Sequence, residues 1–155
     1  MPVIVVGADT AAGRAIMEEL LPRSSEVRAF VTSPDVAASL RSRGVKVALG
    51  DVSDGSHVGA AALNAYCAVL IAEAAADDRE RAFADTPEAV ISTWVDGLND
   101  AGISRAIYVT DKAAPAGLAT LRADLAVVTT AARSDAEVAA EVSVVENAIE
   151  LPEQP

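Results

Sequence analysis

The chain has 155 residues, a length that suits one domain. Its 12 basic and 23 acidic residues give a formal charge of −11, which argues against nucleic acid phosphates and anionic lipid as partners. The single cysteine, Cys67, excludes an internal disulfide, and one Cys with one His cannot build a zinc site of the usual nitrogen and sulfur kind; carboxylates alone could bind a metal, but no acidic ligand loop is evident, so no metal is expected.

Hydrophobic residues make up 52% of the chain, with 34 alanines and only 3% aromatics, so the core is expected to be aliphatic and tightly packed. Met1-Pro2-Val3 leads at once into an apolar run, with no basic leader or cleavage site. No apolar run approaches the ~20 residues of a bilayer span. A cytoplasmic protein without membrane contact is expected, and the Ala- and Asp-rich composition has a bacterial, GC-rich character.

In chain order, short runs rich in β-branched residues alternate with alanine-rich amphipathic segments. The predicted strands are Val3–Val6, Val27–Val31, Val45–Leu49, Ala68–Ala72, Arg105–Thr110 and Leu125–Thr130. Most are apolar on both faces, as parallel strands covered by helices are. Pro22 closes the first helix after Leu21. Ser33-Pro34 supplies an N-cap and an N1 proline, and Gly44 a helix stop. Thr86-Pro87-Glu88 opens a helix that Gly102 ends, and Ser134-Asp135-Ala136-Glu137 has the spacing of a capping box. The pattern predicts one doubly wound α/β domain over residues 1–150. It has about six mostly parallel strands in the order 3-2-1-4-5-6, helices on both faces, and a frayed tail over 151–155. The least regular stretch is Ala74–Asp85, with Asp77-Asp78-Arg79-Glu80-Arg81 inside it. It reads either as a solvated charged loop or as a lid over a ligand at the carboxyl edge of the sheet.

The first strand runs into Gly7, and Gly13 follows six residues on, where a helix opens. Such a turn allows tight reversal and close helix–strand packing, and it aims free N–H groups at a pyrophosphate. Gly7-Ala8-Asp9-Thr10-Ala11-Ala12-Gly13-Arg14 resembles the Gly-Ala-Thr-Gly-x-x-Gly-Arg turn of the atypical short-chain dehydrogenase/reductases, which include the NmrA-like proteins. Glu26–Val31, Gly44–Val52 and Ile103–Thr110 are similar to that family's second, third and fifth strands, in the same order. The resemblance implies a Rossmann-like fold and binding of NADP(H) or NAD(H). It assigns cofactor contacts to Gly7, Thr10, Ala11, Ala12, Gly13, Arg14, Thr32, Asp51, Val52 and Ala72.

The departures from the family pattern are as informative. Thr10 stands where the family has its middle glycine, and a side chain there is expected to crowd the pyrophosphate. Asp9 is expected to carry negative charge toward the phosphates, unless it or Thr10 caps the helix. The second strand ends in Thr32 with no acidic residue for the ribose, and Arg14 and Arg28 are cations that favour NADP. Asp51 is either an adenine-pocket residue or a strand-end turn or cap. Tyr108 and Lys112 have the Tyr-x-x-x-Lys spacing of short-chain reductases, but Tyr108 falls in a strand, where four residues span ~13 Å. Thr110, at the strand end, and Lys112 remain as weak catalytic candidates. His57 has no evident Ser or carboxylate partner and is expected on the surface of the third helix, Cys67 reads as a buried small hydrophobe, and Trp94 as a core or interface residue.

Family reductases continue beyond the sixth strand, whereas this sequence adds one helix, Ser134–Ala148. The expected function is a small NAD(P)H-binding reductase-like protein with a small-molecule ligand at the carboxyl edge. The alternative is a non-catalytic sensor or subunit acting through protein contacts, with weak or lost cofactor binding. A partner subunit would complete the site, or the apolar last helix would pair in a homodimer.

Overall fold

The computed structural model describes residues 1–23 and 26–152. The strands are β1 (Val3–Val6), β2 (Val27–Val31), β3 (Lys46–Leu49), β4 (Cys67–Ile71), β5 (Arg105–Thr110) and β6 (Asp124–Thr129). They form one parallel sheet in the order β3-β2-β1-β4-β5-β6. The helices are α1 (Ala11–Leu20), α2 (Pro34–Ser42), α3 (Gly55–Ala61), α4 (Glu73–Ala76), α5 (Pro87–Ala101) and α6 (Asp135–Asn147). A 3-10 turn, Ala116–Thr120, takes the place of a full helix between β5 and β6.

The helix signals act as their chemistry dictates. The Ser33 and Thr86 hydroxyls accept from Val36 N–H and Ala89 N–H, each just ahead of an N1 proline. Ser134 and Glu137 close a full capping box. Gly44 and Gly102 take the left-handed backbone, at φ 82° and 71°, that ends a helix.

The alternating side chains of the sheet feed two cores. Ile16, Leu20, Ala37, Val138 and Val142 cover one face beside Val3, Val5 and Val69. Val58, Val90, Trp94 and Leu98 cover the other beside Ile4, Val6 and Leu70. Trp94 is fully buried, and its indole N–H donates to the Val52 carbonyl at 2.6 Å, so it is a core residue. Cys67 is also buried, and desolvation pushes its thiol up to about 12. Leu151, expected in the frayed tail, packs against the first core; residues 153–155 of that tail lie outside the described residues.

Two contacts set the helices. Arg105, 2% exposed, donates to the Val145, Glu146 and Ala148 carbonyls, which satisfies the C-terminal end of α6. On the other face α3 and α5 cross backbone to backbone. A Cβ on Gly59 would lie 2.6 Å from the Gly97 carbonyl oxygen, and one on Gly97 would lie 2.1 Å from that of Gly55. On α6, Val138, Ala139, Val142 and Val145 are buried, while Ala136, Ala140 and Val144 remain exposed along one stripe.

The glycine crossing gives a direct test. Gly97→Ala should lower stability by about 3 kcal/mol in urea denaturation, as overpacking against rigid backbone does. Gly117→Ala, with open space around its Cβ position, should stay within about 0.5 kcal/mol of the parent.

Candidate functional site

The β1–α1 turn sits at the carboxyl edge, where the strand order reverses between β1 and β4. Gly7 has φ +93°, and a Cβ there would meet Ala74 Cβ at 2.9 Å. A Cβ on Gly13 would lie 2.1 Å from the Gly7 carbonyl oxygen, so only glycine lets α1 start this close to β1. Thr10 is the N-cap. Its hydroxyl donates to the Gly7 carbonyl at 2.7 Å and accepts from Gly13 N–H at 3.0 Å. The side chain is therefore turned into the protein, 4% exposed, and does not crowd the phosphate approach as its position in the sequence suggests. The N–H groups of Ala11 and Ala12 carry no hydrogen bond to a described residue, so the positive end of α1 keeps two free donors.

Asp9 also departs from expectation. Its carboxylate points toward the end of β2 and away from the start of α1. One oxygen accepts from Thr32 N–H at 2.9 Å and Ser33 N–H at 3.1 Å, and the other pairs with Arg79 at 2.9 Å. Arg79 reaches Asp9 from the irregular segment after α4. It also donates to the Thr32 hydroxyl at 3.3 Å and grips Asp77 through two nitrogens. Arg81 braces Asp77 from the other side at 3.2 Å.

Further along the same segment, Ala82 N–H donates to Asp51 at 2.7 Å and Phe83 N–H to the Ser53 hydroxyl at 2.9 Å. Residues 77–83 thus form a strap across the carboxyl ends of β1, β2 and β3. The second oxygen of Asp51 accepts from Ser53 N–H and its hydroxyl, while Asp54 caps α3. Burial alone would raise the Asp51 carboxyl, but hydrogen bonds from Ser53 and Ala82 hold it below the usual carboxylate range. Burial acts likewise on Asp77 and is likewise outweighed, there by Arg79 and Arg81.

Above β4 and β5 the cleft is open. A pocket of about 600 Å³ runs from Ala12 past Ile71 and Ala72 to Tyr108, Thr110 and Lys112. Glu73, Glu88 and Asp111 also line it, and Ile91, Pro87 and Pro115 add apolar wall. Thr110 is 5% exposed, and its oxygen accepts from Lys112 N–H at 3.1 Å. Burial raises the Tyr108 phenol, with the Thr110 hydroxyl opposing, so the ring carries a neutral phenol.

Of the assigned residues, Gly7, Ala11, Ala12 and Gly13 meet at the turn, and Ala72, Thr110 and Lys112 at the pocket. Thr32 and Asp51 lie beneath the strap. Val52 is buried, with its carbonyl on Trp94. Arg14 lines a separate groove between α1 and α2 with Glu18, Asp35 and Arg43. Arg28 is no cofactor cation: it pairs with Glu26 and donates to the Ala61 and Leu63 carbonyls after α3. His57 packs edge-on against Phe30 at 4.9 Å. Arg79 and the bridging role of Asp9 were missed in the sequence because they join residues 70 positions apart.

A doubly wound sheet with a glycine turn and free helix amides at its switch point defines a nucleotide-binding α/β domain. The NAD(P)H-binding family profile matches residues 7–143, and the chain belongs to that family. No curated protein matches it. Among solved structures it is similar to ChuY, the anaerobillin reductase of Escherichia coli O157:H7, at 22% identity and TM-score 0.70, over 96% of this chain and 92% of that one. It is also similar to the NADPH-dependent quinone oxidoreductase of Escherichia coli, at 16% identity and TM-score 0.65, over 93% and 54%. The triphenylmethane reductase of Citrobacter sp., solved with NADP(H), matches at 16% and 0.58, over 92% and 46%.

Two outcomes follow from the geometry. Thr10→Ala should cost about 1–2 kcal/mol in chemical denaturation, the loss of a well-made cap. Asp51 and Asp77 are held below their unfolded value near 3.9. Their contribution should be complete above that pH and fade as pH falls through the folded values. Asp77→Asn should flatten the loss of stability measured by urea denaturation between about pH 4 and pH 2.

Proposed function

We propose that this protein is an NAD(P)H-dependent reductase whose reacting half is the open pocket over β4 and β5. The observation that carries the reading is the continuity of that pocket with the start of α1. Ala12, one of the two residues with free amides, is also a pocket wall, so a ligand phosphate held at the helix would feed directly into the cavity. The residues fit a nicotinamide nucleotide there. Ala11 and Ala12 N–H would take phosphate oxygens. Gly7 and Gly13 would hold the turn and α1 close enough to β1 for these amides to face the ligand, and Ala72 would give a small wall for the ring. Thr32, Asp51 and Val52 are the residues proposed toward the adenosine end.

When bound, the reduced nicotinamide supplies a hydride. The chain's own part is orientation and proton supply. Thr110 accepts from Lys112 N–H and its hydroxyl bonds the Tyr108 phenol, so the two side chains form one polar pair on the pocket wall. Tyr108, kept as a neutral phenol, would be the donor that this pair offers to an oxygen in the pocket. The Lys112 ammonium lies at the exposed rim, suited to hold a polar substituent.

A second reading, dinucleotide sensing without turnover, is favoured by the strap over β1–β3 and by Tyr108 lying in a strand, apart from any helical Tyr-x-x-x-Lys pair. Calorimetric titration with NADPH, NADH and NADP⁺ decides whether the site binds. Binding of at least one is expected, and Ala12→Asp should weaken it by about tenfold or more through charge repulsion at the phosphate. No binding at millimolar nucleotide would overturn both readings. Binding without nucleotide oxidation across a panel of quinones and dyes would select the sensor.

A further inference from the structure

The strap engages the groups that the adenosine end of a dinucleotide would need. Arg79 takes the Thr32 hydroxyl and Asp9, Ala82 N–H takes Asp51, and Phe83 N–H takes Ser53. The half of the cleft over β4 and β5 is left open. Resting on the dinucleotide reading above, we propose that residues 77–83 are an intrachain competitor for the adenosine end of the cofactor. NAD(P)H occupies the whole cleft only when Arg79 leaves Asp9 and the strap lifts away. A mononucleotide at the start of α1 needs no such opening.

The way the strap is held suits a releasable element. Its centre contributes no apolar packing: Asp78, Glu80 and Ala82 are exposed, and Phe83 is 67% exposed. It is fastened by charged and backbone hydrogen bonds alone. The central pair is shielded, with Arg79 11% and Asp9 5% exposed, so it is specific in geometry and little screened by salt. Elements with few buried apolar contacts open locally without global unfolding. Affinity for a ligand that needs the open form is reduced by the fraction of molecules that are open. Nothing is gained for a ligand that binds both forms alike.

The test compares NADH, NADPH and reduced nicotinamide mononucleotide on the parent, Arg79→Ala and Ala82→Pro. The second variant removes one strap N–H and changes no charge. Both substitutions should tighten NADH by about tenfold or more and leave the mononucleotide unchanged. NADH should also speed trypsin cleavage after Arg81, which the parent partly buries. Unchanged or weaker NADH binding in both variants would overturn the strap, as would protection from trypsin by NADH. Weaker NADPH binding in Arg79→Ala with NADH unaffected would overturn it too, since the guanidinium would then serve the ribose phosphate. If the mononucleotide binds and NADH is indifferent to both changes, the strap alone falls. If no nucleotide binds any variant, the dinucleotide reading falls with it.

Discussion

The contact between Gly13 and the Gly7 carbonyl governs what the rest of the molecule can do. Because no side chain separates them, α1 begins directly above the end of β1. The free amides of Ala11 and Ala12 are thereby fixed at the point where the sheet's strand order reverses. Thr10 tightens the same turn through two short hydrogen bonds and leaves the two amides unspent. A bulkier residue at 13 would push the helix outward and take the donors with it. The capacity to hold a phosphate is thus set by sheet and helix packing as much as by the residues that would touch the ligand.

Around this fixed point the two halves of the cleft are built differently. The side over β4 and β5 is shaped by rigid elements: strand ends, the first turn of α5 and the 3-10 connection. The side over β1–β3 is shaped by a segment with no core of its own, tied by a chain of carboxylates and guanidinium groups. Net charge of −11 makes such ties selective. Ten of the twelve basic residues are arginines, and Arg79 and Arg81 are committed to Asp9 and Asp77.

Much of the fold was legible because local signals agreed. Val3–Val6 is apolar on both faces and becomes a central strand. Ser33-Pro34, Thr86-Pro87 and Ser134 to Glu137 mark helix starts that form at those residues. Two-fold and 3.6-fold periodicities carry that information within a few residues of each other. The turn geometry at Gly7 and Gly13 was legible because it is local, and Ala72, Thr110 and Lys112 come together because they follow neighbouring strands. The site was opaque where distant segments meet. Asp9 looked like a charge aimed at phosphate because its reach to Thr32 depends on how β1 and β2 pair. Arg28 looked available because its acceptors lie 33 and 35 residues on, after α3. Residues 77–83 carry no periodic pattern, so their order left open a solvated loop or a lid, and the contacts with Asp9, Asp51 and Ser53 that lay them across three strands come from residues far away in the chain.

Arg105 has a consequence for the far end of the chain. The guanidinium, fixed in the fifth strand, stacks near the Tyr66 ring at 5.5 Å and spends most of its donors on carbonyls from Val145 to Ile149. Those carbonyls are the solvation shell of an interior cation. The last turn of α6 is therefore not an appendage that can be trimmed or unwound to accept a fusion partner. Freeing it would strand a charge inside the sheet's edge, so the C-terminal segment is bound into the domain by electrostatics more firmly than its own helix propensity would suggest.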